Sequence, residues 1–534
     1  MSQTLFVNGT ILTMDETRGL YAEALLAEDG RIVAVGARSD VEAAAHAPEI
    51  VDLHGAALLP AFIDPHSHLS SVAMGLQQAA VEGARDYADL IERIQRYIRE
   101  NNVPAGQWVT AHGYDHNALA EHRPPTREVL DKAAPENPLV LQHASGHTGV
   151  FNTQALQALG LDAATPDPDG GRFGRAADGA LTGYAEENAF IETIKRIPTP
   201  GGAQLLDCYR RAQQLYASFG IATVQDGLIV DQMAPLYEAL VQTGTLFLDT
   251  VGYADFRSCE ALHTRLPAHW DGYRGRFRIG GYKTFLDGSP QARTAWLRQP
   301  YVPADGQDES YCGYPALPDD VLFAQLVRAL REGRQVLAHC NGDAAAAQYL
   351  AQFARAKAAC PGAPGVRPVM IHAQFLGRDQ LPQLKALGMI PSFFVAHVYH
   401  WGDVHLRNMG PARAAVISCA ASALRAGLRF TFHQDAPVIR PDMLETVWCA
   451  VNRVTRAGVP LGPEERIPTL EALKAVTAHA AYQYFEEDRK GTLAPGKLAD
   501  LTVLSADPLA TPPAALRDLQ VLATYKEGRP VFTA

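Results

Sequence analysis

Apolar and polar positions change rhythm twice along the chain. From Leu5 to Val35, LFVNGTILTM and then ALLAEDGRIVAVG alternate as short strands do, with Asp29-Gly30 as a hairpin turn. The rhythm returns in Ala499–Leu504 (ADLTVL) and Val521–Phe532 (VLATYKEGRPVF), with Glu527-Gly528 at the turn. Neither end carries enough strands to close a sheet alone. The two are expected to pair into one composite β-sandwich domain, residues 1–57 with 490–534.

Between them, over about 58–489, short apolar runs alternate with helical stretches such as Asp320–Arg331 and Ala412–Ala426. That is the pattern of βα units around a parallel sheet. Strands are expected at Ala57–Ile63, Ile221–Gln225, Leu246–Gly252, Arg278–Leu286, Gln335–Ala338, Pro368–Ile371, Met389–Phe394 and Arg429–Phe432. They make an α/β fold, a (β/α)8 TIM barrel. Two further runs, Trp108–His112 and Pro138–His143, exceed what a barrel uses. They are assigned to an insertion at about 74–198, since ordinary βα connections are far shorter than that gap.

At 534 residues, 47% hydrophobic and 20% charged, the chain has ordinary globular composition and room for a barrel and a second domain. A net charge of −11 argues against nucleic acid as the main partner. The opening residues read as strand rather than export signal, and no apolar run is long enough for a bilayer. Seven scattered cysteines without a CxxC pair fit reduced thiols, so cytoplasm is expected, with no membrane partner. A homodimer is left open.

The chemistry concentrates at strand ends. Phe62-Ile63-Asp64-Pro65-His66-Ser67-His68 closes an apolar strand, and residues two apart on a strand face one side, so His66 and His68 can meet one metal ion. Alone, an HxH pair is weak. Two more apolar runs end in His339 and His372, another ends in Asp435, and Lys283 lies inside a further one. Such a set suits Zn2+ or a similar divalent ion. A buried lysine loses its charge readily and its neutral amine can react, although pairing with Asp287 is the plain structural alternative for Lys283.

The order HxH, Lys, His, His, Asp resembles the amidohydrolase superfamily. The phrases LLPAFIDPHSHLS, GYDHNAL, SGHTGVFNTQAL, GYKTFLDGSPQARTA, AHCNGDAA, FHQDAPV and GTLAPGKLADLTVL resemble its YtcJ-like branch, amidohydrolase family 3, which includes N-substituted formamide deformylases. The resemblance implies metal ligation by His66, His68, Lys283, His339, His372 and Asp435, with one or two ions and Lys283 carboxylated as a bridge between two. It implies a small-molecule amide cut at a C–N bond by metal-activated hydroxide, Asp435 taking the water's proton and giving it to the departing amine. Asp64 is expected to orient a ligand. His147 and Asn152 match a family motif. With His116, His397, Tyr399 and Trp401 they are the candidate substrate contacts, the aromatics favouring an apolar or aromatic portion of the substrate. One departure is visible: the family's His-Ser-Asp reads His433-Gln434-Asp435, with Gln434 expected to face away from the pocket. Heterocycle deamination, hydrolysis of a cyclic amide, ester or carbamate, and a non-catalytic metal-binding scaffold are the competing readings.

Overall fold

The computed structural model describes residues 3–116, 118–143, 147–198, 201–303 and 308–534. It divides into two compact units: Met1–Ser71 with Tyr209–Ala534, and Val72–Cys208.

The first unit holds a curled sheet of eight strands. These are β1 (Phe62–Ile63), β2 (Ile221–Ile229), β3 (Asp249–Asp255), β4 (Phe277–Phe285), β5 (Gln335–Cys340), β6 (Val369–His372), β7 (Ile390–Phe393) and β8 (Thr431–Phe432). Each lies parallel to the next in chain order. Every residue of β3 and nearly every residue of β2 is buried, the run expected of strands covered on both faces. Beyond β1 and β8 the chain ends meet, His68 N donating to Ala436 O at 2.9 Å. The arrangement is consistent with a TIM barrel.

Among the expected elements that differ in extent, three do so for a clear local reason. Ala57–Ile63 serves two sheets: Ala57–Pro60 pairs antiparallel with Leu501–Leu504, and only Phe62–Ile63 joins the parallel sheet. The change falls where Ala61 N donates to Asp500 O and Phe62 N to Gly220 O. Leu246–Gly252 shifts to β3 because the Gln213 side chain captures the N–H groups of Phe247 and Leu248 at 2.7 and 3.0 Å. Ala412–Ala426 breaks into Pro411–Ala414 and Ala420–Arg425. Between the two, Ser418 has φ +47°, and the buried Arg453 guanidinium takes the carbonyls of Ile417 and Ser418 at 2.7 and 3.1 Å.

Strands from both termini form two sheets in the same unit. One contains Gln3–Val7, Ala24–Glu28, Arg31–Gly36 and Glu49–Asp52. The other runs Arg529–Thr533, Val521–Lys526, Leu501–Leu504, Ala57–Pro60, Thr10–Leu12, Tyr21–Ala22. Phe6, Leu25, Leu58, Leu501 and Tyr525 share one apolar cluster. Both turns have left-handed residues in succession, Asp29 and Gly30 at φ 46° and 85°, Glu527 and Gly528 at 49° and 72°, as tight hairpins require.

In the second unit, six strands form one mixed sheet. Its adjacent parallel strands Val109–Tyr114 and Leu139–His143 bring Tyr114 opposite His143. Leu139 and Leu141 enter one apolar cluster and Val140 another, so both faces of this sheet are covered. Among the described residues no helix is long and apolar enough to cross a membrane.

Candidate metal centre

His66 and His68 follow β1, Asp435 follows β8, and the meeting of those two strand ends brings the three side chains together. One ligand atom from each lies within 4.8 Å of the others. His68 Nε2 is 3.1 Å and His66 Nε2 3.4 Å from the same oxygen, Asp435 Oδ1. That oxygen is buried and, among the described residues, without a hydrogen-bond partner. Both distances are short, yet neither pair forms a hydrogen bond. Two ligands about 2.0–2.1 Å from a tetrahedral ion stand about 3.3–3.4 Å apart. The donor set therefore fits a divalent ion.

Around this group, Lys283 of β4 reaches to 3.1 Å from His66 Nε2. Burial pushes its amine down to about 7, against the pull of the nearby Asp435 carboxylate. His372 ends β6 with Nε2 3.9 Å from Asp435 Oδ2. His339, in β5, lies with its ring centroid 4.6 Å from that of His372. Both His372 and Asp435 adopt left-handed backbone, φ 72° and 56°, a strain of about 1–3 kcal/mol each of the kind that collects at functional sites.

The imidazoles are held from behind. Gln225 Oε1 lies 2.6 Å from His66 Nδ1. His372 Nδ1 lies 3.1 Å from His433 Nε2, whose Nδ1 is 2.9 Å from Ser392 Oγ. The Gln225 oxygen requires the proton on His66 Nδ1, which leaves its Nε2 lone pair facing the group around Asp435, and a proton on His372 Nδ1 would do the same for that ring. Burial pushes His66 and His372 well below the ordinary imidazole range and His433 down to about 3, so all three are neutral, as ligation requires. Burial works to raise the Asp435 carboxyl, but His68, His433 and Lys283 together outweigh it and hold it below the usual value. Asp64 is the reverse: burial, helped by the charge of Asp435, raises it well above. Its Oδ1 accepts from His66 N at 3.2 Å.

Asp287 does not pair with Lys283. Its carboxylate accepts from the N–H groups of Asn341, Gly342 and Trp296 at 2.9, 2.7 and 3.1 Å, and stands 3.3 Å from His339 Nδ1. Gln434 turns to the helix Met443–Asn452, donating to Thr446 Oγ1 at 2.7 Å. Gln225, His433 and Ser392 were not singled out from the sequence. Gln225 ends an expected strand and His433 opens the His433-Gln434-Asp435 phrase, and those positions were the available signals.

Of the candidate substrate contacts, His397 and Trp401 form an aromatic wall with Phe394, ring centroids 4.5 and 6.0 Å from it. Phe394 in turn lies 6.2 Å from His372. Tyr399 packs against Trp448 at 5.4 Å and beneath Arg456 and Arg517. In the second unit, His147 is largely exposed with Nδ1 3.0 Å from Glu187 Oε2, while Ser145 and Gly146 of its motif lie outside the described residues. His116 follows the strand Val109–Tyr114. Asn152 is corrected: it is fully buried and caps the helix Thr153–Ala158. Its oxygen accepts from Ala155 N and Leu139 N, and its amide donates to Ala134 O and Asn137 O, so no polar capacity is left for a substrate.

A fold of parallel strands with histidines and a carboxylate meeting at their C-terminal ends defines a class of metal-dependent hydrolases. The chain belongs to the amidohydrolase family, whose pattern matches residues 49–532. It is similar to an N-substituted formamide deformylase of Arthrobacter pascens, 29% identical over 99% of this chain and 98% of that one. YtcJ of Bacillus subtilis is 28% identical over 99% of both chains. An uncharacterised metal-dependent hydrolase from Pyrococcus furiosus has a similar structure, with a TM-score of 0.74 and 26% identity over 95% of this chain and all of that one.

Proposed function

We propose that this chain hydrolyses a C–N bond outside peptides, in a small-molecule amide of the N-substituted formamide type. The observation that carries the reading is the orphaned Asp435 Oδ1, faced by His66 and His68 at ligand spacing. Full-length similarity to a deformylase supports the bond type.

A divalent ion held there, Zn2+ by the type of its ligands, would supply a Lewis acid and a water of pKa about 7. His66, His68 and Asp435 would hold it, with His339, His372 and a carboxylated Lys283 completing the set if two ions are present. Asp435, its carboxyl held low by His68, His433 and Lys283 together, takes the proton of the attacking water and returns it to the leaving amine. His397 and Trp401 bind an apolar or aromatic substituent of the amide. In the same reading the curled sheet is a closed (β/α)8 barrel, the two terminal sheets form a composite β-sandwich, and the enzyme works in the cytoplasm.

The test is a panel of N-formyl, N-acyl and cyclic amides, cyclic esters and amino-heterocycles, assayed with zinc-supplemented protein. Turnover of N-substituted formamides or other open amides above the rest is expected. Turnover confined to amino-heterocycles or cyclic esters overturns the assignment.

A further inference from the structure

We propose that Asp115, His116 and His143 form a second divalent-cation site, built entirely within the unit Val72–Cys208. Asp115 and His116 directly follow the strand Val109–Tyr114, and His143 ends its parallel neighbour Leu139–His143. Two adjacent parallel strands thus deliver three metal-compatible side chains to one carboxyl-terminal edge, where open α/β sheets bind ligands.

The geometry is that of a ligand set. One atom from each residue lies within 4.8 Å of the other two. His143 Nε2 stands 3.6 Å from Asp115 Oδ1, close to the roughly 3.3–3.4 Å between two ligands on a tetrahedral ion. The His116 and His143 rings face each other obliquely, centroids 5.1 Å apart and planes 42° from parallel, rather than stacking flat. Tyr114 packs edge-on against His143 at 5.1 Å and fixes that ring. Nδ1 of His116 is buried and lacks a hydrogen-bond partner among the described residues. A buried ring nitrogen left so costs about 1–3 kcal/mol, which a bound cation would recover.

Two imidazoles and one carboxylate select a borderline ion such as Zn2+ or Co2+ over Mg2+ or Ca2+. Three protein ligands leave a coordination position for water. This assignment stands apart from the proposed hydrolysis and gives His116 a role other than substrate contact.

The test counts metal on the full-length protein. Wild type, His116→Ala/His143→Ala and His66→Ala/His68→Ala are stripped with chelator, reloaded with Co2+, desalted and analysed for bound cobalt. The first double variant is expected to hold one equivalent fewer than wild type. The second is expected to retain at least one equivalent, with its visible d–d absorption. Equal cobalt in wild type and His116→Ala/His143→Ala overturns the proposal. Should that variant not fold, by circular dichroism, Asp115→Asn asks the same question through a half-exposed side chain. Co2+ binding weakened at least tenfold at one equivalent supports the site, and unchanged binding overturns it.

Discussion

Gln225 holds His66 in a single orientation, its Oε1 2.6 Å from Nδ1 of the imidazole. Its own amide is fixed in turn, Nε2 donating to Pro65 O at 2.6 Å and to the Tyr484 hydroxyl at 2.9 Å. With the proton kept on Nδ1, the lone pair of Nε2 stays turned toward Asp435. Loss of such a support weakens metal binding by about 10–100-fold. Gln225→Leu is therefore expected to fold normally but release its metal to a competing chelator at that much lower concentration. Native affinity in the variant would show that something else sets the tautomer.

On the proposed reading, Lys283 decides whether one ion or two are held. Its amine, brought down to about 7 by burial, is partly neutral at neutral pH and able to take up CO2 as a carbamate. Lys283→Ala is expected to lose metal and activity together, with partial rescue by short carboxylic acids that replace the bridging oxygens. A high-resolution map with an unmodified amine directed away from the metal would reject the bridge.

Asp435 and Gln434 are neighbours with opposite duties, because one faces the ligand group and the other the helix Met443–Asn452. Asp435→Asn is expected to fold but lose kcat/KM by at least the roughly 10²–10⁴-fold that acid–base assistance supplies. Gln434→Ser loses only a buried hydrogen bond and is expected to keep most of its turnover. The reverse outcome would move the proton transfer to another residue.

Acid stability reads the buried histidines beyond β7. Burial pushes His405 down to about 3 from an ordinary 6.5, and His397, 3.1 Å away, moves the same way. Between those two pH values the unfolded chain binds a proton at His405 that the folded chain refuses. Stability is thus complete above 6.5 and falls on acidification toward 3, at up to about 1.4 kcal/mol per pH unit for each group. His405→Gln, followed by urea unfolding across that range, is expected to flatten the dependence. A slope identical to wild type would contradict it.

Strand ends were legible to within a few residues wherever an apolar run stopped at a chemically distinct residue: His372 ends its strand, His339 stands one residue before the end of its own, and His66 and Asp435 come three residues after theirs. Parallel strands buried on both faces leave continuous apolar runs, and a barrel delivers their ends to one place. What the sequence concealed depends on contacts between distant segments. Gln225 supports His66 across 159 positions and His433 supports His372 across 61. Asn152 matched a motif, yet its role is a helix cap, and a cap and a substrate contact use the same residue types. The division of Ala57–Ile63 between two sheets was hidden for a similar reason, since either sheet would bury the same side chains.

Metal content followed against activity tests the central claim most directly. The purified protein is assayed on its best amide, stripped stepwise with a strong chelator, and reconstituted with zinc, metal equivalents and kcat/KM being recorded at each step. Activity is expected to fall in proportion to metal lost from the His66–His68–Asp435 group and to return on reconstitution. Full activity in protein that holds no metal would contradict the account at its core.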